Sequence, residues 1–154
     1  MEAQIRALSN KKLAGRVVPV FGAANCINLD AFKGQSLGFS ALEFDTKTEH
    51  GSFKLKTGIF TVKTPGFYQF SFSGHVSTFS SIRYSCISLK VDGIVKAVFD
   101  TKTSAYEKEY QAVALTALVP LKTGEKVGVY LTEGQLFQLG TEGHVARFSG
   151  ILLG

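Results

Sequence analysis

The chain has 154 residues, 45% hydrophobic and 19% charged, with a formal net charge of +5 at pH 7. That balance belongs to a folded domain with its own core and excludes a disordered chain. No run approaches the roughly 20 apolar residues of a membrane-spanning helix. No block of five or six basic residues occurs, so the positive charge reads first as a solvated surface. Residues 1–14 carry Glu2, Arg6, Lys11 and Lys12 where a secretory leader would be apolar. The expectation is a cytosolic chain or a mature form without its leader.

Met1, Ile5 and Leu8 follow the 4-then-3 spacing of a coiled-coil seam, and Gly15 is a natural helix stop. Residues 1–15 are therefore expected to form a short helix, docked on the domain or ending a self-associating stalk. Residues 16–154 are expected to form one globular domain. Its two cysteines, Cys26 and Cys86, match no zinc or redox motif and are compatible with one bridge or two thiols.

From Leu37 onward the period is two. Leu37, Phe39 and Ala41 alternate with Gly38, Ser40 and Leu42. Tyr68, Phe70 and Phe72 alternate with Gln69, Ser71 and Ser73, a half-buried strand. Ile87, Leu89 and Val91 form another, Asp92-Gly93 supplies a two-residue hairpin turn, and Val95, Ala97 and Phe99 continue after it. Ala112–Leu121 is apolar on both faces, so it needs a second cover from the sandwich centre or a neighbouring subunit. Val127, Val129 and Leu131 follow a turn at Thr123-Gly124, and Phe148–Leu153 closes the chain with a strand. Phe44–Thr48 recurs as Phe99–Thr103, which is shared turn chemistry rather than a repeat. Short strands with turns between them predict an all-β sandwich or barrel.

Catalytic signals are lacking. His50, His75 and His144 lie far apart, and no nucleophile elbow, phosphate loop or His-Glu-x-x-His occurs. The chain is read as not an enzyme. Lys54 and Lys56 interleave with Phe53 and Phe60, but alternation assigns the aromatics to a core, so nucleic acid is not an expected partner. Membrane insertion is not expected either. The loop acids Asp45, Glu49, Asp92, Asp100, Glu133 and Glu142 form no calcium-loop motif. No cofactor is expected from the residues.

The spacing Phe53-x6-Phe60-x5-Gly66-x-Tyr68-x-Phe70-x-Phe72 resembles the signature of the complement component 1q globular-head family. The opening Phe39-Ser40-Ala41, the stretch Val127–Gly134 and the closing Phe148–Leu153 are similar to that family too. Together they span Leu37 to Leu153. Two positions depart: Thr48 stands where the family carries Asn or Asp, and Leu42 where it carries Phe. The resemblance implies a ten-stranded jelly-roll β-sandwich and a homotrimer, as in the related tumour-necrosis-factor ligands. It implies a secreted protein, and it leaves calcium open, since some members bind it near the trimer apex.

Invertebrate members are often lectins, some specific for sialic acid, so the resemblance points to an innate-immune protein whose partner is a glycan. Its alternatives are a receptor-binding ligand and a matrix component. Two loops carry groups suited to an acidic sugar: Thr78–Ser85, with Arg83 beside Tyr84, and Thr103–Tyr110, with Tyr106 and Lys108. An Arg fork grips a carboxylate in two places, and tyrosines stack or hydrogen-bond. An up-and-down strand path would bring these loops and the Glu133–Gly143 loop to one end of the sandwich.

Overall fold

A computed structural model describes residues 17–27, 35–45, 49–78, 84–102, 109–134, 136–137 and 145–153. The expected helix at 1–15 lies outside these residues. One sheet contains β1 (Val17–Cys26), β2 (Phe39–Asp45), β5 (Gly66–Thr78), β8 (Glu109–Leu121), β10 (Leu136–Phe137) and β11 (Arg147–Leu153). The other contains β3 (Gly51–Lys54), β4 (Ile59–Val62), β6 (Tyr84–Val91), β7 (Ile94–Lys102) and β9 (Lys126–Glu133), in the order β3-β4-β9-β6-β7. All pairings are antiparallel.

The eleven segments fill ten places. β8 pairs with the whole of β5 along one edge. On the other edge β10 meets β5 at His75 and Val76, and β11 takes over from Ser73 to Phe67. β10 and β11 thus share one place, and the first sheet reads β8-β5-β11-β1-β2 across. This is the ten-stranded jelly-roll arrangement expected from the sequence.

Alternation puts one face of each strand into the centre. In β11, Phe148, Gly150 and Leu152 are buried between half-buried or exposed neighbours. Ile87, Leu89 and Val91 of β6 and Val127, Val129 and Leu131 of β9 are buried, as their period predicts. The centre itself is aromatic. Phe21 stacks on Phe53 with centroids 4.2 Å apart, and touches Phe60, Phe70 and Phe148 at 5.2, 6.3 and 5.0 Å. Gly150 makes room for it: a Cβ there would stand 2.7 Å from the Phe21 ring.

β1, which carries Phe21, showed no clean alternation. Pro19 interrupts the run, and the pairing slips against β11 between Pro19 and Phe21 and against β2 between Gly22 and Ala23. Val20 to Ala24 are then all buried, so the period of two is erased. The Asp92-Gly93 turn is as predicted, with φ of 48° and 82°, the pair of positive values a two-residue hairpin needs. Cys26 and Cys86 are thiols, one on each sheet.

Tyr68 is fully buried, and its hydroxyl donates to the carbonyl oxygens of Thr64 and His50. Burial pushes its pKa up from 10 to about 12. The folded chain therefore keeps a proton that the unfolded chain releases. This contribution is intact below pH 10 and is lost as pH rises towards 12. Alkaline unfolding followed by circular dichroism should show a drop in that window that is smaller in Tyr68→Phe. For the core, Phe21→Ala should cost about 3–5 kcal/mol in denaturant unfolding, because four rings lose their common neighbour.

Candidate functional site

Arg83, Tyr106 and Lys108 lie outside the described residues. Tyr84 opens β6, with its backbone opposite Lys102 of β7. The strand ends around them can be read. Thr78 pairs with Glu109, Tyr84 with Lys102, Cys86 with Glu133 and Val76 with Leu136. The strands bounding segments 79–83, 103–108 and 138–144 therefore end at one end of the sandwich. The Asp92-Gly93 and Thr123-Gly124 turns are at the other, where Gly124 N–H donates to Val62 and Asp92 N–H to Lys126. The route differs from an up-and-down path, because β5 and β7 each hand the chain to the opposite sheet.

The outer face of the first sheet is partly apolar. In β8, Val113, Leu115, Ala117, Val119 and Leu121 point into the core, while Ala112, Ala114, Leu118 and Pro120 are exposed. The registers continue these across the sheet. Pro120, Phe67, Leu153 and Val17 form one row, and Leu118, Gln69, Ile151 and Pro19 the next. Leu118, Phe67 and Val17 are 60%, 54% and 53% exposed. Further along, Arg147 Nε lies 3.5 Å from Glu43 Oε2.

The outer face of the second sheet is different. A groove of about 410 Å³ crosses it, lined by Lys54, Thr57, Thr61, Lys126, Tyr130 and the Asp92-Gly93 turn among others. Lys90 Nζ sits 4.8 Å from the centroid of the Tyr130 ring, a cation–π contact. Gly128 lies under the groove, where a Cβ would come within 2.5 Å of Ile59 Cδ1. Ser36 closes one side, its hydroxyl donating to the Thr57 carbonyl at 2.5 Å. Beside Tyr130 across the strands is Ser88, whose buried Oγ has no hydrogen-bond partner among the described residues. The sequence reading did not single out this surface, although outward-facing Lys90, Lys126 and Tyr130 all follow from the period of β6 and β9.

Among the described residues no three His, Cys, Asp or Glu side chains stand close enough to hold a metal. His50 Nδ1 is 3.1 Å from Thr64 Oγ1, at the foot of the Tyr68 hydrogen bonds, so it is part of a structural corner. Among the described residues no helix is long and apolar enough to cross a membrane.

No curated protein matches the chain. Among solved structures, the globular domain of zebrafish complement 1qA protein is similar, with 26% identity and a TM-score of 0.66. The match covers 88% of this chain and 98% of that one. In sequence, residues 32–153 match the C1q domain, from just before β2 to the end of β11. With the jelly-roll sheet order, the Gly66-Tyr68-Phe70-Phe72 strand between β8 and β11 and this match, the chain belongs to the C1q domain family.

Proposed function

We propose that the chain is a secreted homotrimer that recognises acidic glycans as a lectin of innate immunity, through Arg83, Tyr84, Tyr106 and Lys108. C1q domain proteins are typically secreted recognition or ligand proteins, and their fold is a non-enzymatic recognition module. One observation carries the glycan reading. The strand ends on either side of segments 79–83 and 103–108 lie together at one end of the sandwich. A guanidinium, two phenols and an ammonium, if gathered there, would make a binding set for a carboxylated sugar. Calcium held by loop carboxylates at that end would add a second anion contact, which EDTA would remove.

The trimer reading rests on the apolar rows of the first sheet. Leaving Leu118, Phe67 and Val17 in water is unfavourable by roughly 25 cal/mol for each Å² that a second copy could cover. Three copies joined there would turn three weak glycan contacts into one strong attachment. A protein-binding ligand is the second reading, favoured by Ile94, Val95 and Val98 of edge strand β7, all more than half exposed.

Light scattering of the purified chain should give three times its 16.6 kDa mass, and Leu118→Glu should return it to the single-chain value. On a glycan array, sialylated sugars should be retained and neutral ones not. Arg83→Ala should weaken that binding about tenfold or more, since hydrogen bonds to charged groups contribute roughly 1.5–3 kcal/mol. Unchanged binding of Arg83→Ala would remove the assigned site. Failure of a free monosaccharide to compete with the natural partner would favour the protein-ligand reading.

A further inference from the structure

We infer that the groove on the outer face of the second sheet is a separate binding site for an acidic saccharide, centred on Tyr130. The choice of a saccharide rests on the recognition function proposed above. The groove itself rests on strands far from that loop end.

The site is built by register. Lys54 of β3 pairs with Ile59 of β4, and Lys90 of β6 pairs with Gly128 of β9. The β4–β9 pairing of Phe60 with Val127 puts Ile59 beside Gly128. One row across four strands therefore reads Lys54, Ile59, Gly128, Lys90. Strands lie about 4.8 Å apart, so the two lysine backbones stand roughly 14 Å apart with a side-chain-free glycine between them. The Ile59 side chain lies over that glycine and Lys90 lies against the Tyr130 ring, which leaves the flexible stem of Lys54 to reach an anion in the groove. The next row adds Lys126 opposite Thr61. Asp92 is the one carboxylate lining the groove, and its Oδ1 already accepts the Lys126 N–H at 3.0 Å. Cations from two strands, Lys54 and Lys126, thus face one acid among the described lining residues, with Lys90 behind the Tyr130 ring.

The other lining groups suit a sugar. Ile59 and Tyr130 offer apolar surface to ring C–H groups, and Thr57 and Thr61 offer hydroxyls to ring hydroxyls. Lys90 already fixes the Tyr130 ring, so the platform is ordered before a ligand arrives. Ammonium groups are point charges without the planar fork of Arg, so they take a carboxylate or a sulfate alike. The ligand class is therefore an acidic saccharide, whichever of the two carries its charge.

The test is calorimetric titration of the full chain with three hexasaccharides: hyaluronan, which carries carboxylates; chondroitin sulfate, which adds sulfates; and neutral chitin. One or both acidic sugars should bind, the neutral one should not, and added salt should weaken binding because Lys54 and Lys126 are exposed. Tyr130→Ala and Lys54→Glu should each lower affinity about tenfold, the scale of one charge-assisted hydrogen bond. Lys54 is exposed, so its variant keeps the fold if Tyr130→Ala does not. If only hyaluronan binds, a carboxylate is the anchor; if chondroitin sulfate binds more tightly, sulfate is.

Arg83→Ala should leave this binding unchanged. Loss in Arg83→Ala with no loss in the groove variants would overturn the groove and keep the loop-end site. Loss in the groove variants alone is the expected result, and it leaves the loop-end site to its own test with Arg83→Ala on sialylated sugars. Equal binding of neutral chitin, no binding of either acidic sugar, or tighter capture of a single-stranded oligonucleotide would overturn the inference.

Discussion

The stacking of Phe21 on Phe53 is the contact on which the sandwich depends. Phe21 belongs to the first sheet and Phe53 to the second, and their rings are nearly parallel, 9° apart. Phe60 from the second sheet and Phe70 and Phe148 from the first close around the same ring. Each of these strands contributes its aromatic at the height the register allows, so one buried ring ties β1, β3, β4, β5 and β11 to a common depth. An aromatic pair adds about 0.5–1.5 kcal/mol beyond the area it buries. The geometry is also selective: a one-residue slip of any of these strands would turn its aromatic out to solvent. The cluster therefore specifies alignment as well as cohesion.

Once the inner faces are committed to this cluster, the two outer faces are left for different work. The first sheet exposes Leu118, Phe67 and Val17 in rows that cross four strands. The second exposes Lys54 and Lys126 around a half-buried tyrosine on which Lys90 rests. Both derive from the same alternation, since a residue excluded from the core faces out at the next position along the strand. Apolar side chains that face water gain from meeting their own kind. Ammonium groups that face water stay hydrated and can exchange that water for an anion. The sandwich thus separates a surface suited to self-association from one suited to a charged ligand by the thickness of its core.

How far the sequence could be read follows from this geometry. The strands whose period was clean, β5, β6 and β9, were placed with the correct faces inward. Ala112–Leu121 announced its two-sided character, and the structure puts Val113, Leu115, Ala117 and Val119 inward and Ala112, Ala114 and Leu118 outward as its pattern required. β1 was not legible. Pro19 and two register slips bury five consecutive residues, and that looks like neither a half-wet strand nor a helix. The residue at the centre of the core therefore sat in the one strand without a period. The groove was hidden for another reason: Lys54, Ile59, Gly128 and Lys90 become neighbours only through three separate pairings. The loop residues had stood out because Arg83 and Tyr84 are adjacent in the chain.

Local adjacency and register produce sites of different character. A loop site depends on a few residues that order on binding, which costs conformational entropy but lets the contact adapt. A site laid across four paired strands is fixed before the ligand arrives, because moving one lysine backbone would break a ladder. Its limits are the exposure and the point charge of lysine, which make the attraction weak singly and sensitive to salt. In a trimer assembled on the first sheet, the second sheet of each copy would face outward, away from the joint. Weak, pre-ordered, outward-facing sites in three copies gain most where anionic groups repeat along a chain or a surface, because each contact raises the effective concentration for the next. On that physical ground an extended acidic polysaccharide suits the proposed groove better than an isolated sugar.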